Sequence, residues 1–98
     1  MNTINSTEEF TKWLLGLKDT QGKARILARI KLAKHGHFGD CKSLGDGVSE
    51  MRIHTGAGYR VYYCRKGELV YLLLAGGDKS TQVKDIEKAK TLSIRYTI

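Results

Sequence analysis

Three strand-length segments, 48–54, 59–65 and 68–75, follow one another with Gly56-Ala57-Gly58 and Lys66-Gly67 as the turns between them. Connections this short join antiparallel neighbours, because a parallel crossover needs a dozen or more residues. The middle of the chain is therefore an antiparallel meander. A three-residue Gly-Ala-Gly loop, with Gly58 free to take positive φ, sets Thr55 opposite Tyr59, His54 opposite Arg60 and Arg52 opposite Tyr62. Side chains alternate across a strand with period two. That register puts Glu50, Arg52, His54, Arg60 and Tyr62 on one face, and Met51, Ile53, Tyr59, Val61 and Tyr63 on the other. One face is polar and cationic, and the other can rest on helices.

Helical patterns flank the meander. Ser6-Thr7-Glu8-Glu9 reads as a capping box, and Phe10, Trp13, Leu14 and Leu17 follow at i, i+3, i+4 and i+7. This spacing predicts a helix at about 7–18, and the residues before it suit a short edge strand. Asp19 or Thr20 caps a second helix running to about His35, where Gly36 supplies the stop. Its buried face is Ile26, Leu27, Ile30 and Ala33. Residues 36–47, rich in glycine and polar groups, read as a loop. Ser80 or Thr81 starts a last helix with Val83, Ile86, Ala89 and Leu92 as its apolar side, and residues 94–98 extend it or form a tail. The expected architecture is one α+β domain, 1–98. Two N-terminal helices pack on a small, mainly antiparallel sheet of three to four strands, and a helix follows at the C-terminus.

Charge gives the first functional constraint. Seventeen Lys and Arg against ten Asp and Glu leave +7, a surplus that favours a polyanionic partner, nucleic acid or an acidic protein. Lys23, Arg25, Arg29, Lys31 and Lys34 put five of these charges on the second helix, with no acidic residue between 20 and 39. That helix is either a solvated face or a surface that docks on phosphates or on an acidic antagonist. Arg25, Arg29, Lys31 and Lys34, with Tyr62 on the sheet, are the candidate RNA contacts. The sequence has no signal-peptide pattern and no apolar run of membrane-spanning length, so a cytoplasmic location and no membrane partner are expected. Cys41 and Cys64 lack metal-ligand spacing and read as reduced thiols, and His35 with His37 is at most a weak metal hint.

Several enzyme classes find no support. There is no Ser-His-Asp arrangement, no evident carboxylate pair, no metal cluster and no dinucleotide glycine pattern, and no cofactor is implied. Gly76-Gly77-Asp78-Lys79-Ser80 lacks the spacing of a phosphate-binding loop, although its place between a strand and a helix start can present backbone N–H groups to an anion. What remains is the cationic group Arg52, His54, Arg60 and Lys79, with Tyr62 beside it. Such a group suits RNA phosphodiester cleavage by the adjacent 2′-hydroxyl. Histidine can serve as acid or base near neutral pH. Arginine and lysine stabilise the charge that develops on phosphorus.

The strings Glu50-Met51-Arg52-Ile53 and Gly58-Tyr59-Arg60-Val61-Tyr62-Tyr63 resemble the central strand pair of the RelE/ParE toxin superfamily. Leu74-Ala75-Gly76-Gly77-Asp78-Lys79-Ser80-Thr81-Gln82, followed by Asp85-Ile86 and Lys88-Ala89, is similar to its phage-derived HigB-like subgroup, the addiction module killer proteins. The resemblance spans the chain. It implies a RelE-like fold and the toxin of a type II toxin–antitoxin system. The implied activity is ribosome-dependent, metal-independent cleavage of mRNA, which inhibits translation. It also implies a helix-turn-helix (HigA-like) antitoxin, through which the pair binds operator DNA, and the ribosome and mRNA as targets. Arg52, His54 and Arg60 match the basic positions of the hairpin, and Lys79 the cationic position after the last long strand. The chain departs from the pattern at the hairpin loop, about one residue short, and at the C-terminus, where a catalytic tyrosine has no clear counterpart. Two alternatives stay open: a ParE-like inhibitor of DNA gyrase that cleaves no RNA, and a plain nucleic-acid-binding module.

Overall fold

The computed structural model describes residues 1–96. Five strands form one sheet: β1 (Thr3–Ser6), β2 (Cys41–Gly45), β3 (Val48–Ile53), β4 (Tyr59–Arg65) and β5 (Val70–Gly77). Their spatial order is β1-β5-β4-β3-β2, with β1 parallel to β5 and the other neighbours antiparallel. The helices are α1 (Glu8–Gly16), α2 (Thr20–Lys34) and α3 (Gln82–Arg95), the last preceded by a single 3-10 turn over Lys79–Thr81. The sheet is therefore mixed and larger than the expected three to four strands. The addition the sequence reading missed is β2. Its residues are mostly exposed and loop-like in composition, and it is a strand because its backbone pairs with β3, Cys41 opposite Met51 and Lys42 opposite Glu50. Strand state imposed by a neighbour rather than by side-chain preference is common in sheets.

Two apolar clusters lie on the two sides of the sheet. Phe10 of α1 and Ile26 and Ala33 of α2 pack on Met51, Ile53, Tyr59, Val61 and Tyr63. Ala89 and Leu92 of α3 pack on Val48, Tyr62, Cys64, Leu72 and Leu74. The face read as polar and cationic is thus half-covered by a helix. A bulge at Leu74, where pairing passes from Tyr62–Ala75 to Tyr63–Leu73, sends Leu74 and Ala75 to the same side.

The helix starts rest on specific side chains. Thr7, not Ser6, caps α1: its hydroxyl accepts from Phe10 N at 3.0 Å and donates to Leu74 O at 2.6 Å, joining cap to sheet. Asp19 caps α2 through Gly22 N at 3.0 Å and accepts the Tyr59 hydroxyl at 2.8 Å. Gly22 has no room for a side chain, since a Cβ there would come within 2.4 Å of the Tyr59 ring. The end of α2 is His35, followed by Gly36 at φ +89°, the left-handed residue expected of a glycine stop. The helix α3 ends at Arg95, and the remainder of the expected extension or tail, residues 97–98, lies outside the described residues.

Candidate functional site

The hairpin between β3 and β4 has a five-residue loop, 54–58, instead of the expected three. Arg52 faces Arg60 and Glu50 faces Tyr62. The expected register was His54 opposite Arg60, so the pairing has moved by two residues. A shift of two leaves every side chain on its face, because the alternation also has period two. Arg52 and Arg60 consequently share a face, and Met51, Ile53, Tyr59 and Val61 occupy the opposite one.

One carboxylate organises the two arginines. Glu50 is 1% exposed, and its Oε2 accepts from Arg52 Nε at 3.0 Å. Its Oε1 accepts from Gln82 Nε2 at 2.7 Å and lies 3.4 Å from Arg60 Nε. The Glu50 bond holds the Arg52 guanidinium above its ordinary pKa. Arg60, 12% exposed, also donates from Nη1 to Gly58 O at 2.9 Å. Among the described residues, Nη1 and Nη2 of Arg52 and Nη2 of Arg60 make no hydrogen bond to protein. Two fixed guanidiniums around one carboxylate leave a net positive charge with N–H donors to spare.

Lys79 joins this corner from the start of the 3-10 turn. Its backbone N reaches Ala57 O at 3.4 Å. A Cβ built on Gly58 would stand 3.5 Å from Lys79 Cβ and 3.6 Å from Arg60 Nη1, so Gly58, at φ +77°, is the point where both side chains meet the loop. His54 leaves β3 and is exposed; its Nε2 pairs with Asp40 Oδ2. That bond is the main reason the Asp40 carboxyl is held below its ordinary value, and the Arg52 charge adds to the effect. Arg52 therefore stands electrostatically between the Glu50 clamp and the Asp40–His54 pair.

Other expected site residues are placed differently. Tyr62 is fully buried under α3, which corrects the expectation that it contacts RNA. Its hydroxyl has no hydrogen-bond partner among the described residues, and burial pushes its pKa up. Arg29 is spent on the fold: it donates to Arg52 O at 2.6 Å, Phe38 O at 2.9 Å and Asp40 O at 3.3 Å, bracing the chain beneath β3. Arg25 is exposed and borders a shallow depression with Gln21, Ala24 and Thr55, beside the hairpin loop. Lys31 and Lys34 line a groove against β1, away from the corner.

The Gly-Gly-Asp-Lys-Ser string is structural rather than an anion cradle. A Cβ on Gly76 would lie 2.2 Å from the Trp13 ring, and one on Gly77 1.8 Å from Asp85 Oδ2. The glycines let α1 and α3 approach β5 from its two sides. Asp78 accepts from Ser80 N at 2.8 Å, so that backbone donor is occupied, and the two Ser80 bonds are the main reason the Asp78 carboxyl lies below its ordinary value. Among the described residues no group of three or more His, Cys, Asp or Glu is placed to hold a metal ion. No helix among them is long and apolar enough to cross a membrane.

Glu50 and Gln82 are the site residues that sequence reasoning passed over. Part of the signal was present, since Glu50 lies two residues before Arg52 on the same face; its place diagonal to Arg60, the spacing at which opposite charges meet, follows only from the observed register.

Residues 12–95 match the family described as Phage derived protein Gp49-like (DUF891). An uncharacterised protein of Haemophilus influenzae is 51% identical over 90 residues, covering 92% of this chain and 91% of that protein.

Proposed function

The chain belongs to the phage-derived Gp49-like family, and on that premise we propose that it is the toxin of a type II toxin–antitoxin pair, a RelE-like, HigB-like endoribonuclease that cuts mRNA on the ribosome. The observation that carries this reading is the cationic corner: Arg52 and Arg60 on one face, oriented by a single buried carboxylate, with Lys79 meeting Arg60 at Gly58. Donors fixed before the substrate arrives need no reorganisation as charge develops, and such preorganisation is usually the largest catalytic contribution.

In the proposed reaction the 2′-oxygen attacks the adjacent phosphorus and the bond to the 5′-oxygen breaks. The 2′-hydroxyl proton passes to a base, and the leaving oxygen takes a proton from an acid. Side-chain cations, the free Nη groups of Arg52 and Arg60 and the Lys79 ammonium, neutralise the five-coordinate phosphorus. His54 is the proposed proton-transfer group, with its ring paired to Asp40. Arg25, exposed beside Thr55, extends the positive surface along the RNA backbone. A helix-turn-helix antitoxin is the proposed antagonist, and through it the pair would bind operator DNA.

A second reading, ParE-like inhibition of DNA gyrase without RNA cleavage, draws on a different observation. Both arginines are ion-paired to Glu50 and Arg60 is only 12% exposed, which also suits cations with a structural task. Inducing the chain in a host without an antitoxin and mapping transcript 5′ ends separates the two. New ends inside translated reading frames support the nuclease. Intact transcripts together with DNA-damage signalling support gyrase inhibition.

A further inference from the structure

The positive charge of α2 is only partly explained by the corner described above. Lys31 and Lys34 flank an open groove of about 660 Å³ on the α1/α2 side of the sheet. Its helix-side wall is largely apolar, with Phe10 and Leu14 of α1 and Leu27 and Ile30 of α2, and β1 adds Ile4 beside the polar Asn5 and Ser6. Leu27, expected in the buried face of α2, is instead 48% exposed at this groove.

The groove runs along an unused sheet edge. Among the described residues the strand β1 pairs only with β5, and Thr3 N and Thr7 N bond inward to Leu69 O and Leu73 O. Asn2 N points the other way, to Lys34 O, where the end of α2 leans on the edge. By the same alternation the N–H and C=O of Ile4 and Ser6 face outward. They are the template for one more strand, and exposed edges of this kind are where extended peptides add.

We infer that this groove binds an acidic, extended segment of a protein partner, which adds to the free edge of β1 with its apolar side chains against Leu27 and Ile30 and its carboxylates against Lys31 and Lys34. The inference rests on the proposal that a protein antagonist exists, and it names the surface that antagonist uses. Nucleic acid fits the groove poorly. A phosphate backbone has no apolar groups to cover Leu27, and the aromatic ring in the groove, Phe10, is 2% exposed and offers no stacking surface. The groove lies on the face opposite Arg52 and Arg60, so an occupant there leaves the cationic corner uncovered.

The test uses the full chain and three probes: a fluorescein-labelled octapeptide alternating valine and glutamate, the same peptide with lysine for glutamate, and a short single-stranded RNA. Saturable binding of the glutamate peptide is expected, with amide shifts at Ile4 and Ser6. Leu27→Glu should weaken it at least about tenfold, near 1.4 kcal/mol. The pair Lys31→Glu and Lys34→Glu should reverse the preference to the lysine peptide. Absence of peptide binding, shifts confined to the 54–58 loop, or RNA competing for Ile4 and Ser6 would each overturn the inference. Growth arrest by the parent chain separates the two proposals. No arrest on its induction refutes the toxin reading, whereas arrest by a parent chain that binds no glutamate peptide refutes the groove alone.

Discussion

Replacing Glu50 by Gln removes the charge that holds the two arginines while keeping the side chain's size. The glutamine amide presents N–H donors where Glu50 now accepts from Arg52 and Gln82 and ion-pairs with Arg60 Nε at 3.4 Å. Breaking a buried ion pair by removing one partner costs about 3–5 kcal/mol, because the other charge stays desolvated and unpaired. Arg60 retains its bond to Gly58 O and some water at 12% exposure, which lowers the expectation to about 2–4 kcal/mol. For a domain of this size each kcal/mol moves Tm by about 4–8 °C. Urea and thermal unfolding of Glu50→Gln measure the loss directly. The double variant Glu50→Gln with Arg60→Gln should recover part of it, since neither charge is then left alone in the interior. A Glu50→Gln chain within about 0.5 kcal/mol of the parent, below the loss expected for any buried pair, would refute the claim that one carboxylate organises the corner.

Other consequences follow from particular contacts. Tyr62→Phe removes a buried hydroxyl without a partner, so the variant should be unchanged or up to about 1 kcal/mol more stable in urea, with growth arrest intact. Gly76→Ala drives a methyl into the Trp13 ring and should cost about 1–3 kcal/mol by the same measurement. The Asp19 carboxyl is held below its ordinary value of 3.8, chiefly by the Gly22 N–H and then the Tyr59 hydroxyl. A depressed folded-state pKa contributes stability above the unfolded value and loses it as pH falls through the folded one. The acid limb of the stability curve, below about pH 4, should therefore flatten in Asp19→Asn.

Much of this arrangement is legible in the residues, and the parts that are not have physical reasons. The strand β4 begins and ends where its alternation does, and Asp19 and Gly36 bound α2 as caps of those types should. The facing of Arg52 and Arg60 survives an error in loop length because the error is even. The strand β2 is hidden because Cys41–Gly45 carries no apolar alternation and takes its conformation from β3. Glu50 is hidden because a carboxylate between strand residues reads as solvent-facing until α3 closes over it and brings Gln82 within reach. The two glycines before Asp78 resemble a phosphate loop in sequence, and only the approach of Trp13 and Asp85 reveals their steric purpose. The charge of α2 divides among uses that charge counting cannot separate: Arg29 braces carbonyls, Lys31 and Lys34 border an apolar groove, and Arg25 stands by the hairpin.

The central claim is that Arg52, Arg60 and Lys79 act as one preorganised cation on an RNA phosphate. Lys79 tests it most cleanly, because it is exposed and does not hold Glu50. Cleavage of ribosome-bound mRNA by purified Lys79→Ala, with folding verified by unfolding midpoint, should fall about a hundredfold, and by a similar factor in Arg52→Ala. Cleavage at the parent rate by both folded variants would contradict the account.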